Sequence, residues 1–405
     1  MLKKLFAGTA TVALTAGVLT GAALAQISGD VVKIGVLTDK SGLYADVAGE
    51  GAVVAAQMAV EEFGGKAAGK PVQVISADHQ NKADISSNIA RQWFDTDGVD
   101  AIADLVTSST ALAVQEVARD KGKVTLVSGA ATSRLTGDAC SPTGFHWAYD
   151  TYALAVGTGR AVARNGGKSW FFITADYAFG HSLEADVTRE VKALGGEIKG
   201  SVRHPLNSSD FSSYLLQAQG SGAQVIGLAN AGTDTTNSIK QAAEFGITQA
   251  GQSLAGLLLF ISDVDALGLQ TAQGLVLTTG FYWDLDDETR AWSAKYEQKT
   301  GKKPTMVQAG VYSSVLHYLK AIDAAGTDDG LKVANKMKEL PVKDMFARNA
   351  KLLPNGRLAH DMYLAKVKQP SQSKGRWDYY DIVTTIPASE AYQKPEESGC
   401  PFTKK

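Results

Sequence analysis

Two loops rich in serine and threonine are the first candidates for binding chemistry. Thr107, Ser108 and Ser109 follow one predicted strand and open a predicted helix, and residues 128–133 follow the next strand. Amide N–H groups at a helix N-terminus, together with the helix dipole, favour an anion, and nearby hydroxyl groups can donate further hydrogen bonds. A carboxylate would fit such a place. The same residues also serve as ordinary N-caps, so both interpretations stay open at this point.

Further candidates follow predicted strands in the second half of the chain. Residues 175–181 and 229–234 are loops with polar and aromatic side chains, and three consecutive aromatic residues begin at Phe281. Aromatic side chains at such strand ends can enclose an apolar group or a ring, or they can simply seal a hinge. The side chains with binding chemistry in these segments are Tyr177, Phe179, Asn230, Asp234, Tyr282 and Trp283.

Motifs of catalysis are missing from the sequence. The six histidines show no H-E-x-x-H spacing, and neither a G-x-S-x-G motif nor a P-loop is present. Residues 157–162 begin like a dinucleotide-binding loop, but Val162 stands where the last glycine belongs and the segment continues a predicted helix. We therefore expect no catalytic residue, no metal site and no cofactor, while a catalytic carboxylate outside any motif stays open.

Composition narrows the class of protein. The chain has 405 residues, of which 44% are apolar and 20% charged, and this length predicts two compact lobes rather than one. The net charge of −2 argues against a nucleic acid as partner.

The N-terminus has the three parts of a secretory signal peptide. A basic start (Lys3, Lys4) precedes an uncharged run, and Ala23-Leu24-Ala25 offers the small residues that a signal peptidase reads. A membrane anchor is the alternative, disfavoured by the glycines in the run. We expect cleavage after Ala25, export to the periplasm, and no membrane insertion of the mature chain, because no later stretch is long and apolar enough.

Export changes what the two cysteines imply. In an oxidising compartment an isolated pair tends to form a disulfide, so we predict a bond between Cys140 and Cys400 that pins the polar C-terminal tail to the body of the protein.

The order of predicted elements indicates two similar halves. From Val31 to Val127, and again from Ser169 to Thr279, short β-rich runs alternate with helical ones, which is typical of a parallel sheet covered on both faces. The predicted fold class is therefore α/β, with two doubly wound parallel-sheet lobes joined by a hinge of several crossings. The predicted divisions are 1–25 (signal peptide), 26–148 with 283–360 (lobe I), 149–282 with 361–388 (lobe II) and 389–405 (tail).

Motifs at the strand ends resemble those of the periplasmic branched-chain amino acid-binding family, the type I solute receptors of ABC transporters. The resemblance runs from about residue 32 to 386 and depends on the order of its short motifs. These motifs are residues 32–38 with Ser41-Gly42, Ala77-Asp78-His79-Gln80-Asn81, Ser108-Ser109-Thr110, Ala131-Thr132, Ala175-Asp176-Tyr177-Ala178-Phe179-Gly180 and Asp210-Phe211-Ser212.

This resemblance implies a Venus-flytrap fold in which lobe I holds the ligand's carboxylate and an aromatic residue of lobe II, here Phe179, covers it. Backbone groups would serve at the alanines and hydroxyl groups at the other lobe I positions. The candidate ligand-binding residues are Tyr44, Thr107, Ser108, Ser109, Ala130, Ala131, Thr132, Tyr149, Tyr177, Phe179, Asn230, Asp234, Tyr282 and Trp283.

One departure from the family leaves the ligand open. Amino-acid binders of the family carry an acidic residue after the strand that ends here near Phe260, whereas this chain has Ile261-Ser262 and reaches Asp263 only later. Amino acids, aliphatic or 2-oxo acids and aromatic acids therefore all stay candidates, with Asp234 or Asp263 as substitutes for the ammonium partner.

The function implied by the resemblance is capture of a small carboxylate by a monomer, followed by delivery to a membrane permease and its ATPase subunits. The alternatives are a ligand-sensing subunit of a signalling system on the same fold and a secreted α/β enzyme.

Overall fold

The computed structural model describes residues 26–348 and 350–403, so the predicted signal peptide lies outside the described residues. The strands in chain order are β1 (Val32–Thr38), β2 (Lys66–Ala67), β3 (Lys70–Asp78), β4 (Ala101–Asp104), β5 (Val124–Val127), β6 (Gly144–His146), β7 (Ser169–Ala175), β8 (Glu197–His204), β9 (Val225–Ala229), β10 (Ser253–Gly256), β11 (Val276–Thr279), β12 (Lys351–Leu352), β13 (Leu358–Ala359), β14 (Met362–Val367) and β15 (Tyr380–Ile386).

The helices enclose these strands. They are α1 (Gly49–Glu62), α2 (Ala83–Asp95), α3 (Ser108–Asp120), α4 (Thr151–Leu154), α5 (Arg160–Arg164), α6 (Ala178–Ala193), α7 (Ser212–Gly220), α8 (Thr233–Glu244), α9 (Ile261–Leu267), α10 (Leu269–Ala272), α11 (Asp287–Thr300), α12 (Met306–Ala325), α13 (Gly330–Glu339) and α14 (Ala388–Ala391). A π-helical turn, Ala155–Gly159, joins α4 to α5, so the glycine-containing segment is indeed helical.

Lobe I is built on a six-stranded sheet in the order β2-β3-β1-β4-β5-β6. All neighbours pair in parallel except β2, which pairs antiparallel to β3. Strands β4 and β5 are buried along their whole length, as expected for strands covered on both faces. Helices α11, α12 and α13 return to this lobe late in the chain, and α12 packs along α1.

Lobe II contains two sheets rather than one. A parallel sheet has the order β10-β9-β7-β8, and a separate antiparallel sheet has the order β11-β14-β15. We predicted residues 274–279 as part of the parallel sheet. The strand forms, but β11 pairs antiparallel with β14 because the chain returns to lobe II only after α13. The doubly wound α/β architecture is confirmed, with this antiparallel addition.

Within the part of the chain that the structure describes, three crossings join the lobes, after β6, after β11 and after β13. Residues at the first and second crossings are buried in a hydrophobic cluster that includes Trp147, Ala148, Tyr149 and Phe281. The boundary residues of the two lobes stay predictions.

The predicted disulfide is present. Cys140 and Cys400 are bonded, with Cα atoms 5.7 Å apart and 260 residues between them in sequence. Both cysteines are buried, and the bond fixes the C-terminal tail.

Candidate ligand-binding site

A narrow cavity lies between the lobes, at the carboxyl ends of the parallel strands. This is the place where open α/β sheets bind ligands. Among the described residues, none of those that line the cavity carries a charged side chain. The lining residues are Tyr44, Val47, Val106, Ser108, Gly129, Ala131 and Tyr149 on the side of lobe I, and Tyr177, Phe179, Ala231, Leu258 and Phe260 on the side of lobe II.

The N-terminus of α3 reaches the cavity at Ser108. Thr107 is the N-cap residue, but its hydroxyl makes no capping hydrogen bond and instead donates to Asn81 Oδ1. The amide N–H groups of the first turn have no acceptor within the helix. The N-cap interpretation therefore does not explain this loop, and the helix end is free to receive an anion.

The floor of the cavity requires glycine at position 129. A Cβ there would come within 2.5 Å of Val106 Cα and 2.9 Å of Asp104 Oδ1. The Gly129 carbonyl accepts a hydrogen bond of 2.7 Å from the Tyr149 hydroxyl, which orients the tyrosine ring beside the cavity. The Gly129 backbone and the Tyr149 ring are thus held in fixed positions relative to each other.

The wall from lobe II is apolar and aromatic. Tyr177 and Phe179 lie at the start of α6 with ring centroids 5.9 Å apart. Phe260, the residue before α9, meets the Tyr149 ring edge-on at 6.1 Å. This wall offers a binding partner for a hydrocarbon or aromatic body, and only the phenol of Tyr177 adds a polar group.

Hydrogen bonds join the lobes around the cavity. The hydroxyl oxygens of Tyr44 and Tyr177 lie 2.7 Å apart, and those of Thr132 and Ser182 lie 2.6 Å apart. The Ser133 hydroxyl donates to the Asp186 carboxylate. The lobes are therefore in direct contact at the mouth of the cleft.

Comparison with known proteins identifies the family to which this chain belongs. A sequence profile described as periplasmic binding protein matches residues 31–376. The chain belongs to the periplasmic binding protein family. Its two lobes and interlobe cavity are those of the type I solute-binding proteins, and the resemblance to the branched-chain amino acid-binding group is confirmed.

Two solved structures are similar to this periplasmic binding protein over most of its length. One, a periplasmic binding protein of Burkholderia mallei, is 52% identical, covers 93% of this chain and 100% of its own, and has a TM-score of 0.91. The other, a branched-chain amino acid ABC transporter periplasmic ligand-binding protein of Burkholderia xenovorans LB400, is 45% identical, covers 92% of this chain and 100% of its own, and has a TM-score of 0.82.

A curated relative also has a name from the branched-chain amino acid-binding group. The Leu/Ile/Val-binding protein homolog 6 of Brucella melitensis is 28% identical over 336 residues, which are 81% of this chain and 84% of the relative. Proteins of this family bind small ligands and work with ABC transporters, and the family name places them in the periplasm.

Six of the predicted ligand-binding residues line the cavity of this periplasmic binding protein: Tyr44, Ser108, Ala131, Tyr149, Tyr177 and Phe179. Of the others in lobe I, Thr107 is bonded to Asn81, Ser109 is half-buried in α3 outside the lining, and the Ala130 carbonyl lies 2.7 Å from His146 Nε2. Thr132 uses its hydroxyl for Ser182 and for the Arg134 N–H.

Asn230 and Asp234 do not reach the cavity wall. The Asn230 amide is bonded to Ser238, Thr235 and His204 inside lobe II. Both Asp234 carboxylate oxygens accept backbone N–H groups, from Asn207 and Ser208, and burial raises the pKa of this carboxyl to about 6. These side chains stabilise loops around the site.

Tyr282 and Trp283 also lie away from the cavity, which corrects the expectation that they line it. The Tyr282 hydroxyl and the Trp283 indole N–H both donate to the Trp377 carbonyl. Their rings pack into the hydrophobic cluster of lobe II, because the chain turns outward after β11.

The sequence did not single out the apolar part of the lining. Val47, Val106, Gly129, Ala231, Leu258 and Phe260 all face the cavity. We predicted residues 254–260 as one strand, whereas β10 ends at Gly256 and the following loop turns into the cleft. The signal that could have found Leu258 and Phe260 is the position of this run after a parallel strand.

Two buried carboxyl groups lie behind the lining. Asp104 is fully buried at the end of β4, and burial raises its pKa to about 7. Asp263 accepts a hydrogen bond of 2.9 Å from the Phe260 N–H, and burial raises its pKa to about 7 as well. Neither side chain lines the cavity, so neither takes the place of an ammonium partner there.

Within residues 26–348 and 350–403 no cluster of acidic, histidine and cysteine side chains has the arrangement of a metal site. In the same part of the chain no helix combines the length and the apolar composition needed to cross a membrane.

Proposed function

We propose that this protein is the solute receptor of an ABC uptake transporter and that it captures a small monocarboxylate between its lobes. The observation that carries the proposal is the uncharged cavity at the uncapped N-terminus of α3. The first-turn amides of α3 and the Ser108 hydroxyl would hold the carboxylate, since charge-assisted hydrogen bonds are stronger than neutral ones.

An acid without an ammonium group fits this cavity better than an amino acid. An ammonium ion buried without a counter-charge is costly, and the lining offers only hydroxyl and backbone groups to it. Asp234 and Asp263, the acids that the sequence offered as ammonium partners, already accept backbone N–H groups. Aliphatic, 2-oxo and aromatic monocarboxylates are therefore the favoured class.

The lining of the cavity suits the body of such an acid. Apolar side chains from both lobes, such as Val106 and Phe260, would surround the hydrocarbon or aromatic part.

Binding, not turnover, is the activity we infer. Ligand would dock on α3 in lobe I, and lobe II would close over it through contacts that exist only in the closed state. We infer that the monomeric mature protein begins at Gln26 in the periplasm and delivers its ligand to a permease with ATPase subunits.

The test uses ligand-free protein, unfolded and refolded to remove any bound molecule. Thermal-shift and calorimetric titrations compare 4-methylpentanoate, 4-methyl-2-oxopentanoate, benzoate and L-leucine, with 4-methylpentanamide and benzamide as uncharged controls. A ligand that binds only the folded state raises the melting temperature by mass action. We expect acids without ammonium to raise it and the amides to leave it unchanged.

Two results would contradict the proposal. Binding of amides or sugars with no response to acids would exclude the carboxylate site. Tighter binding of L-leucine than of 4-methyl-2-oxopentanoate would show that an ammonium partner exists after all, since these two molecules differ mainly in that group.

A further inference from the structure

The hinge contains a fully buried arginine that joins two of the crossings. Arg357 precedes the third crossing, and its guanidinium donates to the carbonyl oxygens of Trp147 and Tyr149 in the first crossing. Asp150 Oδ2 lies 3.7 Å away, and the arginine is 1% exposed. The third crossing also contributes His360, whose Nε2 lies 2.9 Å from the Ala148 carbonyl oxygen.

The second crossing meets the other two at the same place. A Cβ on Gly280 would come within 2.8 Å of the Ala148 carbonyl oxygen and 2.9 Å of His360 Cε1. Only a glycine lets the three chain segments approach so closely, and this contact makes them one packed unit.

The C-terminal tail covers this unit. Tyr392, which follows α14, places its ring 4.5 Å from the Arg357 guanidinium carbon in a cation–π arrangement. Its hydroxyl lies 2.9 Å from His360 Nε2, and the side chain is only 4% exposed. The tail is therefore packed on the hinge itself.

Both ends of the tail are fixed, and they are fixed to different lobes. The tail leaves lobe II at the end of β15, and Cys400 bonds it to Cys140. Cys140 lies in lobe I, in the loop that leads from residues 132–136 to β6. The disulfide thus turns the tail into a fourth connection between the lobes.

The hinge unit is also linked to the cavity. Tyr149 accepts a hydrogen bond of 2.9 Å from Arg357 through its carbonyl oxygen and donates one of 2.7 Å to the Gly129 carbonyl through its hydroxyl. Both Tyr149 and Gly129 line the cavity. A change in the position of the Arg357 side chain would therefore move Tyr149, and with it one wall of the binding site.

We propose that residues 387–403 form a strap, anchored by the disulfide, that restrains the opening of the cleft, with Arg357 and Tyr392 as the positioning residues of the hinge. The proposal rests on the proposed function in so far as the lobes open and close around a ligand. Rotation at the crossings must displace Cys140 relative to β15, so an intact strap favours the closed arrangement and a cut strap lets the open state become more populated.

Small-angle X-ray scattering of the ligand-free mature protein tests this inference. We expect a larger radius of gyration for the Cys140→Ser/Cys400→Ser double variant than for the wild type, measured well below the melting temperature of both. Dithiothreitol should produce the same increase in the wild type, once mass spectrometry shows both thiols reduced, and no change in the double variant. Equal radii for the bonded and unbonded proteins would overturn the proposal.

Variants of Tyr392 keep the test decisive if loss of the disulfide prevents folding. Tyr392→Ala, with the disulfide intact, should increase the radius of gyration and the hydrogen exchange of the crossing segments. Tyr392→Phe, which keeps the ring over Arg357, should restore the wild-type values. Phe402→Ala is the matched control, because this tail side chain is 53% exposed. Equal effects of Tyr392→Ala and Phe402→Ala would reject the positioning role.

The strap and the proposed function fail in different experiments. If no carboxylate binds, the proposed function is wrong while the scattering result stands. If carboxylates bind and the disulfide leaves the radius of gyration unchanged, the strap is wrong while the receptor function stands.

Discussion

The hydroxyl oxygens of Tyr44 and Tyr177 lie 2.7 Å apart, one on each lobe. Tyr44 follows β1 in lobe I, and Tyr177 is the residue before α6 in lobe II. Burial raises the pKa of both phenols, so each keeps its proton at neutral pH and the two share a neutral hydrogen bond. Because both rings also line the cavity, this bond closes the cleft beside the cavity.

Removing either hydroxyl should weaken ligand binding through loss of closure. A neutral hydrogen bond contributes about 1 kcal/mol, so Tyr44→Phe and Tyr177→Phe should each raise the Kd of the best acid from the titration panel roughly 5-fold. The double variant should be no weaker than the weaker single variant, because one bond is lost in every case. Isothermal titration calorimetry measures all three.

Tyr318→Phe is the matched control for these variants. Tyr318 is buried in α12 of lobe I, and its hydroxyl has no hydrogen-bond partner among the described residues. Its removal should leave the Kd unchanged. Additive effects of Tyr44→Phe and Tyr177→Phe would mean that each hydroxyl contacts the ligand separately.

Thr132 was predicted as a direct hydroxyl donor to the ligand, and the structure gives its hydroxyl a different partner. The bond to Ser182 joins the lobes at the cleft mouth. We therefore expect Thr132→Val and Ser182→Ala to raise the Kd by a similar factor, and the double variant to add nothing further. A large effect of Thr132→Val together with a silent Ser182→Ala would restore the direct role, again by titration calorimetry.

Variants of Ser108 and Ser109 distinguish the proposed anion site from a neighbouring position of the same helix. Ser108 lines the cavity, whereas Ser109, the next residue of α3, does not. A hydrogen bond to a charged group is worth about 2 kcal/mol, so Ser108→Ala should weaken acid binding roughly 30-fold while Ser109→Ala leaves it unchanged. Part of the loss would come from the Thr132 N–H, which donates to the Ser108 hydroxyl. Equal effects of the two variants would argue against a carboxylate at the N-terminus of α3.

The parts of the site that could be predicted are those fixed by strand order. Parallel strands place their carboxyl ends on one edge, so the loops at Ser108, Ala131 and Phe179 were found from the sequence alone. Which residue of each loop faces inward depends on turns that the sequence pattern does not encode. Thr107 and Ser109 flank Ser108 but point elsewhere for this reason.

The parts that could not be predicted depend on long-range pairing. Strand β11 looks like another parallel strand by composition, and only the return of β14 from lobe I makes it antiparallel. The same return places Trp377 where its carbonyl accepts the hydroxyl of Tyr282 and the indole of Trp283, which removes both rings from the cleft. No local pattern near residue 282 carries that information.

Replacing Asp104 by asparagine should make the protein more stable at neutral and alkaline pH. Burial raises the pKa of Asp104 from 3.8 to about 7, so the folded state holds a proton that the unfolded state releases above about pH 4. Stability therefore falls as the pH rises from about 4 to about 7, and the destabilisation is complete above 7. Asp104→Asn abolishes this loss of stability, because asparagine does not ionise. Asparagine also tolerates the left-handed backbone at this position, where φ is +77°.

Melting temperatures of the wild type and of Asp104→Asn at several pH values check the direction of this predicted stability change. The groups that face Asp104 are the Thr38 hydroxyl and the charge of Asp39, and Tyr149 lies close enough to sense its charge. We expect the variant and the wild type to melt together near pH 4 and the variant to melt at higher temperature at pH 8. Asp210→Asn is the control, and its expected effect on the melting temperature has the opposite sign, because hydrogen bonds from Ser212 lower the pKa of that exposed carboxyl. A wild-type protein that melts above Asp104→Asn at pH 8 would mean that the ionised carboxylate is stabilised where it lies, and the raised pKa would be wrong.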